Sequence, residues 1–231
     1  MPGMCPENPT PDAERPTPKR IPHRIETARL VLRCYEPTDA EALRVVVAAN
    51  QEHLVEFMPW ARFDPQSLDE KPSTRSSFRS EFDAGRNYVM GIFDRVSGEL
   101  VGGTGFHPRD GRSGFEIGYW ITAAREGQGL ISESVRALCL VALRLGHGMI
   151  TVRMAPENAR SEAITQRLGF RREGLLRNSF LFGDDPPRDT IMYTLLAEEL
   201  EASDWLAATE DSVRALDALG RPVALTAHEE A

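Results

Sequence analysis

The stretch Arg125-Glu-Gly-Gln-Gly-Leu-Ile-Ser-Glu133 joins a predicted strand to a predicted amphipathic helix. Gly127 and Gly129 have no Cβ atom, so a ligand can approach the backbone of this loop closely. The first N–H groups of a helix have no acceptor within the helix, and the helix dipole favours an anion at that end. The loop lacks the Lys-Ser/Thr of a P-loop and the third glycine of a Rossmann fingerprint. It is therefore either a different kind of pyrophosphate site or a flexible loop ahead of a capped helix.

The sequence on both sides of this loop changes between strand and helix patterns. Upstream, short turns at Asp94–Gly98 and Pro108–Gly111 separate three apolar runs, which makes neighbouring strands antiparallel. Downstream, a helical stripe runs from Ile131 to Leu145 and ends at Gly146. The predicted strands are Arg29–Tyr35, Asn87–Phe93, Leu100–Phe106, Phe115–Ile121, Met149–Met154, Gly174–Leu181 and Asp189–Leu195, and the predicted helices are Asp39–Ala49 with more helix toward Phe57, Ser73–Ala84, Leu130–Leu145 and Asn158–Leu168. This order predicts an α+β fold, a mixed and mostly antiparallel sheet flanked by helices.

Composition divides the 231 residues into three parts. Residues 1–24 are rich in proline and poor in apolar side chains, so we expect a disordered leader that cannot bury enough surface to offset the entropy of ordering. Residues 25–205 form the predicted domain. Residues 206–231 are an acidic tail, in which Val213, Leu216 and Leu219 predict a short helix.

Charge and cysteine usage exclude several classes of function. The formal net charge is −8, and the segment after Ala197 carries nine acidic residues against two arginines, which leaves the rest of the chain near neutral. Nothing in this pattern is a basic surface for nucleic acid or an anionic membrane, and no apolar run is long enough to span a bilayer. The three cysteines have neither paired nor metal-ligand spacing. We therefore expect a cytoplasmic protein with no metal, nucleic-acid or membrane partner.

A series of motifs carries a family resemblance. The motifs are Glu26-Thr-Ala-Arg-Leu-Val-Leu-Arg33, Met58-Pro-Trp60, Glu116-Ile-Gly-Tyr-Trp120, Gly127-Gln-Gly129, Pro156-Glu-Asn-Ala-Arg-Ser161 and Arg167-Leu-Gly-Phe170. In order and spacing they resemble the GNAT superfamily of N-acetyltransferases, most closely the RimJ/RimL branch that acetylates N-terminal amines of ribosomal proteins. The resemblance runs from about Ile25 to Trp205. It implies the acyl-CoA N-acyltransferase fold, in which the middle strands splay apart to admit the pantetheine arm of the cofactor.

The resemblance implies acetyl-coenzyme A as co-substrate and no metal. Backbone amides of the loop and of the first helical turn would hold the pyrophosphate, the end of the preceding strand would bond the pantetheine, and the Asn-x-x-Ser pair would contact the coenzyme. The predicted cofactor-binding residues are Tyr119, Trp120, Ile121, Gly127, Gln128, Gly129, Leu130, Ile131, Ser132, Asn158 and Ser161. Glu126, where Gln or Arg is usual, and Ile131, where Gly or Ala is usual, depart from the superfamily pattern. Because the cradle is mostly backbone, these departures change the interpretation little.

Acetyl transfer to an amine needs a group that takes the amine's proton, a donor for the oxyanion and a proton for the leaving thiolate. By the resemblance, Ser161 is the candidate acid on the thiolate side, although it is also explained as a first-turn residue after the N-cap Asn158. Glu116 is the candidate base. Alternation places it on one strand face with Gly118 and Trp120, where a carboxylate is costly unless it is solvated or paired. An ion pair with a buried arginine explains Glu116 nearly as well.

Three residues are predicted on the acceptor side, namely Trp60, His107 and Glu116. Members of the family place the Pro-Trp segment that contains Trp60 near the acceptor. His107 ends the strand next to that of Glu116 and either assists near neutral pH or is only a surface strand terminus. Some ribosomal-type relatives carry a carboxylate on the strand after the Gly-Phe pair, and Leu176-Arg-Asn-Ser-Phe180 has none. The ribosomal-protein mechanism therefore does not transfer directly.

These features predict direct transfer of an acetyl group from acetyl-coenzyme A to a primary amine in a ternary complex. A protein or peptide N-terminus is the first choice of acceptor. Two alternatives stay open: a small-molecule amine such as a polyamine, an amino-acid analogue or an antibiotic, and a sensor that binds acyl-coenzyme A without turnover. The presence of both Glu116 and Ser161 favours an enzyme. A homodimer is reasonable, but the sequence does not determine the oligomeric state.

Overall fold

The structure is a computed structural model that describes residues 19–62, 72–109 and 114–225, with the backbone alone for residues 72–77. Most of the predicted leader, the end of the turn predicted at Pro108–Gly111 and the last six residues of the acidic tail lie outside the described residues.

The described part of the chain contains nine strands and six α-helices, together with short 3-10 helices. The strands are β1 (Arg24–Glu26), β2 (Leu30–Cys34), β3 (Tyr88–Asp94), β4 (Leu100–Pro108), β5 (Phe115–Ile121), β6 (Met149–Met154), β7 (Arg171–Phe180), β8 (Arg188–Leu196) and β9 (Arg214–Leu216). The helices are α1 (Ala40–Ala49), α2 (Gln51–Leu54), α3 (Pro72–Asp83), α4 (Leu130–Arg144), α5 (Ala159–Arg167) and α6 (Leu206–Ser212). The strands β5 and β6, which frame the cleft described below, have the predicted bounds.

The strands form a sheet in the order β7-β8-β6-β5-β4-β3-β2-β1-β9. Strands β5 and β6 are parallel, and the other neighbouring pairs of this sheet are antiparallel. Pairing between β5 and β6 is restricted to Phe115 with Ile150 and Glu116 with Thr151, although both strands continue for several residues. The two strands therefore diverge beyond Glu116 and open the sheet into a V. The predicted mixed sheet with a splayed centre is confirmed.

Helix α4 fills the centre of the core. Twelve of its fifteen residues are buried, including Val135, Leu138 and Val141. The helix packs on β2, β5 and β6 and is covered by α6, so apolar side chains are buried on more than one stripe. This burial fixes the start of α4, and with it the loop that follows β5, at the open end of the V. None of the helices in the described ranges is long and apolar enough to cross a membrane.

The fold extends further toward the N-terminus than the boundary predicted at residue 25. Lys19 donates its backbone N–H to the carbonyl of Leu145 at 3.0 Å, and Ile21 is buried in the main core. His23 bonds Asp83 on α3 at 2.8 Å. These contacts join the segment to two distant elements, which composition alone does not reveal.

The C-terminal segment also belongs to the sheet. The helix expected around Val213, Leu216 and Leu219 is wrong over Arg214–Leu216, where the chain forms β9 and pairs with β1. The physical reason is long-range. Strand β1 would otherwise leave an open sheet edge, and β9 satisfies its backbone hydrogen bonds although nearly two hundred residues separate the two strands.

Candidate active site

A cleft of about 750 Å³ lies where β5 and β6 diverge. Its walls come from these two strands, the loop before α4, the first turn of α4, the start of α5 and the end of α2. Ten predicted cofactor-binding residues line it, namely Tyr119, Trp120, Ile121, Gly127, Gly129, Leu130, Ile131, Ser132, Asn158 and Ser161. Gln128 is not among the lining residues, and its side chain donates to the carbonyl of Ala124 at 3.2 Å.

The loop before α4 requires glycine at two positions. Gly127 has φ 70° and Gly129 has φ 73°, a left-handed backbone conformation that side chains with a Cβ disfavour. Gly129 is the N-cap residue of α4, and its carbonyl accepts the N–H of Glu133 at 3.1 Å. The preceding N–H groups of Leu130 and Ile131 have no acceptor of this kind, and both residues line the cleft. The start of this buried helix is therefore suited to an anion.

An ionic brace holds the first turn of α4 against the loop between β1 and β2. The Glu133 carboxylate accepts from the Thr27 hydroxyl at 2.6 Å, from the Arg29 backbone N–H at 2.9 Å and from Arg29 Nε at 2.6 Å. Arg29 also donates to the carbonyl of Gln128 at 2.9 Å. These bonds, together with the Arg29 charge, hold the pKa of Glu133 below its usual range although burial acts in the opposite direction. The sequence motif that contains Arg29 thus supports the loop.

We expect Glu133→Gln to lower the free energy of unfolding at pH 7 by about 1 kcal/mol, because the charge-assisted hydrogen bonds are partly exposed and solvent screens them. Because the pKa of Glu133 is lower in the folded state, its contribution to stability is present above the unfolded pKa of about 4.3 and is lost as pH falls through the folded pKa. Urea unfolding of both proteins between pH 7 and pH 3 measures this difference. A difference that stays constant over that range would contradict the charge-dependent brace.

Ser161 and Tyr119 form a hydrogen-bonded pair inside the cleft. The Ser161 Oγ and Tyr119 Oη atoms are 2.8 Å apart, and Ser161 is 8 % exposed. Asn158 caps α5 as predicted, because its side chain accepts the N–H of Ser161 at 3.1 Å. Burial raises the pKa of Tyr119 to about 12, so the phenol keeps its proton and can donate it to the Ser161 oxygen. The Ser161 hydroxyl hydrogen is then available to a third group in the cleft.

Glu116 lies at the closed end of the V and is held by two arginines. Its carboxylate accepts from Arg153 Nε at 2.6 Å and from Arg109 Nη2 at 2.9 Å, with a further bond from Arg109 Nε at 3.2 Å. Burial raises the pKa of Glu116, but the two guanidinium groups outweigh it and leave the pKa below its usual range. The structure thus shows the ion pair that the sequence left as an alternative. A role for Glu116 as base stays a prediction.

Three glycines, Gly103, Gly105 and Gly118, form a surface without side chains between Glu116 and the aromatic end of the cleft, and we call this surface the floor. The register of β4 on β5 pairs Gly103 with Trp120, Gly105 with Gly118 and His107 with Glu116, so these residues share one face. The Trp120 ring covers Gly103, because a Cβ atom there would lie 2.4 Å from the indole Nε1. A Cβ at Gly118 would meet only His107 Nε2 at 3.8 Å. The surface at Gly118 is therefore open.

Aromatic side chains close one end of this floor. The rings of Trp60 and Trp120 meet edge to face with centroids 6.1 Å apart, and Met58 packs in the same apolar cluster. Arg62, at the end of the same segment, is ion-paired with Asp185 in the loop between β7 and β8. Trp60 therefore contacts the cleft through Trp120 and is not itself a lining residue, and its place on the acceptor side stays a prediction.

His107 stands at the other end of the floor. Its Nδ1 atom lies 2.6 Å from Asn87 Oδ1, and burial lowers the pKa of the imidazole, followed by a smaller effect of the Arg109 charge. The partners Asn87, Arg109 and Arg153 were missed by the sequence analysis. Alternation could have placed Arg153 on the face of Glu116, but only the β5–β6 register shows that the two meet.

Glu126, which departs from the superfamily pattern, is neutralised across the mouth of the cleft. Its carboxylate is ion-paired with Arg160 on α5 and lies 3.5 Å from His53 Nε2 on α2. The extra negative charge of the loop therefore does not stand alone beside the start of α4. Among the described residues, no cluster of His, Cys, Asp or Glu side chains could hold a metal ion.

Comparison with known proteins agrees with this architecture. Residues 29–171 match the family described as Acetyltransferase (GNAT) domain. The protein YdaF of Bacillus subtilis (strain 168) is 31% identical over 180 residues, which cover 74% of this chain and 93% of YdaF. The [ribosomal protein uS5]-alanine N-acetyltransferase of Escherichia coli (strain K12) is 29% identical over 176 residues, covering 74% and 90% of the two chains. The structure of Mycobacterium smegmatis RimJ in complex with CoA-disulfide superimposes with a TM-score of 0.65 at 29% identity, covering 83% of this chain and 93% of that one.

Proposed function

The chain belongs to the GNAT acetyltransferase family, and from that premise we propose that it transfers the acetyl group of acetyl-coenzyme A to the α-amine of a protein or peptide N-terminus. The observation that carries this proposal is a cleft of about 750 Å³ in which a helix start suited to an anion, a splayed strand pair and a half-buried serine–tyrosine pair meet. Acceptor peptides of this class would place the enzyme in the cytoplasm.

We expect the cofactor to lie along the cleft. The free backbone N–H groups at the start of α4 suit the diphosphate, because a helix N-terminus and glycine loop bind anions without needing a cationic side chain. The unpaired edge of β5 beyond Glu116 offers main-chain groups to the amides of the pantetheine arm. The thioester would then lie between Gly118 and Arg153, near Ser161.

In this arrangement the amine nitrogen attacks the thioester carbon directly. The C–N bond forms, the C–S bond breaks, a proton leaves the nitrogen, and the coenzyme A sulfur accepts a proton. Ser161 is placed to supply that proton or a hydrogen bond, since its oxygen accepts the phenol hydrogen of Tyr119 and its own hydrogen can turn toward the sulfur. Tyr119 is therefore a positioning residue for Ser161.

We expect Ser161→Ala to lower kcat by about 10- to 100-fold, at the lower edge of what general acid catalysis contributes, while the Kd of acetyl-coenzyme A stays within about threefold. Tyr119→Phe should cost less, because the serine hydroxyl remains. Since the two groups act as one unit, the double variant should be no slower than Ser161→Ala. Steady-state kinetics and calorimetric binding measure these effects. Fully additive losses in the double variant would contradict the proposal that the two groups act as one unit.

Chemistry and relatives support an N-terminal α-amine as the acceptor. The relative from Escherichia coli is named as an alanine N-acetyltransferase of ribosomal protein uS5. Deprotonating an α-amine at pH 7 costs roughly 1 kcal/mol, whereas a lysine costs roughly 4 to 5 kcal/mol. The site has no unpaired carboxylate near Gly118 among the described residues, so it suits the less basic amine.

The test is thiol release from acetyl-coenzyme A by the purified protein across a panel of acceptors. The panel contains peptides that begin with Ala, Ser or Met, the same peptides with blocked N-termini, polyamines, free amino acids and amine antibiotics. We expect turnover with an unblocked peptide class and none with its blocked form. Turnover restricted to small amines would overturn the peptide acceptor, and hydrolysis unaffected by any amine would point to a sensor of acyl-coenzyme A.

A further inference from the structure

We propose that His107 is the general base that removes the proton from the acceptor amine, and that Asn87 is the residue that positions it. This proposal rests on the acetyl transfer described above and adds a residue to it. Nothing in the family comparison assigns a role to either side chain.

The geometry around Glu116 leaves the base role unfilled. One carboxylate oxygen accepts from Arg109 at 2.9 Å, and the other accepts from Arg153 at 2.6 Å and from Arg109 at 3.2 Å. A carboxylate between two guanidinium groups is stabilised as the anion and is a weak proton acceptor. Its bonds also tie it to the closed end of the V. Glu116 therefore orients the arginines around the site and is poorly placed to accept a proton from the amine.

His107 is oriented toward the floor where the amine would stand. Its Nδ1 atom lies 2.6 Å from Asn87 Oδ1, and because an amide oxygen only accepts, Nδ1 carries the hydrogen. The neutral ring then presents a lone pair at Nε2, which bonds none of the described residues. Nε2 lies 3.8 Å from the position that a Cβ of Gly118 would occupy. His107 is not itself a lining residue of the cleft, but Nε2 is its atom nearest to Gly118, which lines the cleft beside the position assigned to the thioester.

Burial favours the neutral form of the His107 ring at pH 7, and three charged groups lie around the ring. They are Arg109 on the same strand, Glu116 opposite it on β5, and Arg153 on β6, which reaches His107 only through Glu116. Burial and Arg109 lower the pKa of His107, and Glu116 opposes them with a smaller effect. A neutral imidazole cannot efficiently remove a proton from a free ammonium group. It can accept the proton from the nitrogen once the C–N bond has begun to form. The amine proton moves to Nε2, coenzyme A leaves with a proton from Ser161, and both side chains exchange protons with water afterwards.

The first experiment is the pH dependence of kcat for His107→Gln with an accepted peptide. We expect the native enzyme to lose activity in acid through a group that titrates below pH about 6.5, which gives the pH profile an acid limb. In His107→Gln this acid limb should disappear, and kcat should fall by about a hundredfold. His147→Gln is the matched control, because burial also lowers the pKa of His147, which bonds the Lys19 carbonyl outside the cleft. Wild-type kcat and an unchanged acid limb in His107→Gln would overturn the proposal that His107 is the general base.

Asn87→Asp tests the positioning residue. A carboxylate facing the Nδ1–H stabilises the imidazolium, so the acid limb should move to higher pH by about one unit. A merely structural role for Asn87 would change stability and leave the limb in place. An unmoved limb in a folded Asn87→Asp protein would contradict the positioning role.

Nitrogen-15 NMR of the histidine rings tests the geometry without any acceptor. We expect His107 to be neutral at pH 7 with its hydrogen on Nδ1, and to titrate at higher pH in Asn87→Asp. A hydrogen on Nε2 would overturn the proposal whatever the kinetics show. Turnover that is unaffected in His107→Gln would contradict the base alone, whereas intact acetyl-coenzyme A binding with no turnover of any amine would contradict the acetyl transfer and the base together.

Discussion

Replacing Gly127 by Asp is expected to weaken acetyl-coenzyme A binding by about a hundredfold, because a like charge about 4 Å from the diphosphate costs a few kcal/mol at the dielectric of a protein surface. A Cβ at Gly127, which lines the cleft, would meet no heavy atom within 4 Å, so the new side chain has space, although the positive φ of this residue costs some stability. Isothermal calorimetry with acetyl-coenzyme A measures the change.

Two matched variants separate charge from backbone strain. Gly220 has φ 74°, close to the 70° of Gly127, and its Cβ would also meet nothing within 4 Å, but it lies in a turn near the C-terminus and does not line the cleft. Gly220→Asp should therefore lose the same small amount of stability and bind the cofactor normally. Gly127→Asn keeps the shape without the charge and should fall between the two. Equal affinities for Gly127→Asp and Gly220→Asp would rule out a diphosphate cradle at this loop.

Gly118→Val is expected to lower kcat/KM for the acceptor by about a hundredfold, because displacing a reacting group by about 1 Å has an effect of this size. The Cβ would lie on the open floor 3.8 Å from His107 Nε2, and the two methyl groups would occupy the space that we assign to the amine. A β-branched residue is favourable in a strand, so the protein should remain folded. The Kd of acetyl-coenzyme A should change little, since the pyrophosphate loop is untouched.

The control for this variant is another strand glycine with open space around its Cβ position. Gly174 on β7 meets that condition and is absent from the cleft lining. Gly174→Val should keep full activity, and thermal unfolding of both variants reports any general effect on the fold. Loss of cofactor binding together with activity in Gly118→Val would show that the residue faces the pantetheine arm and not the acceptor.

Local sequence patterns were sufficient for the elements that surround the cleft. The alternation in Phe115–Ile121 placed Glu116 and Trp120 on one face and Tyr119 on the other, as the structure has them. Asn158 was predicted as an N-cap and bonds Ser161 as expected. The two loop glycines were singled out for close approach and both have positive φ. Each of these features depends on neighbours within a few residues, which is the range over which backbone sterics, capping and side-chain periodicity act.

The sequence by itself thus determined the strand and helix order, the glycine loop before α4 and the family to which the chain belongs. The tertiary structure decided which side chains meet: Tyr119 with Ser161, Glu116 with Arg109 and Arg153, and His107 with Asn87. It also added β9 to the edge of β1, where a helix was expected. These pairings depend on strand register and on where β5 and β6 part, and both are fixed by long-range burial of apolar faces that no short stretch of sequence encodes.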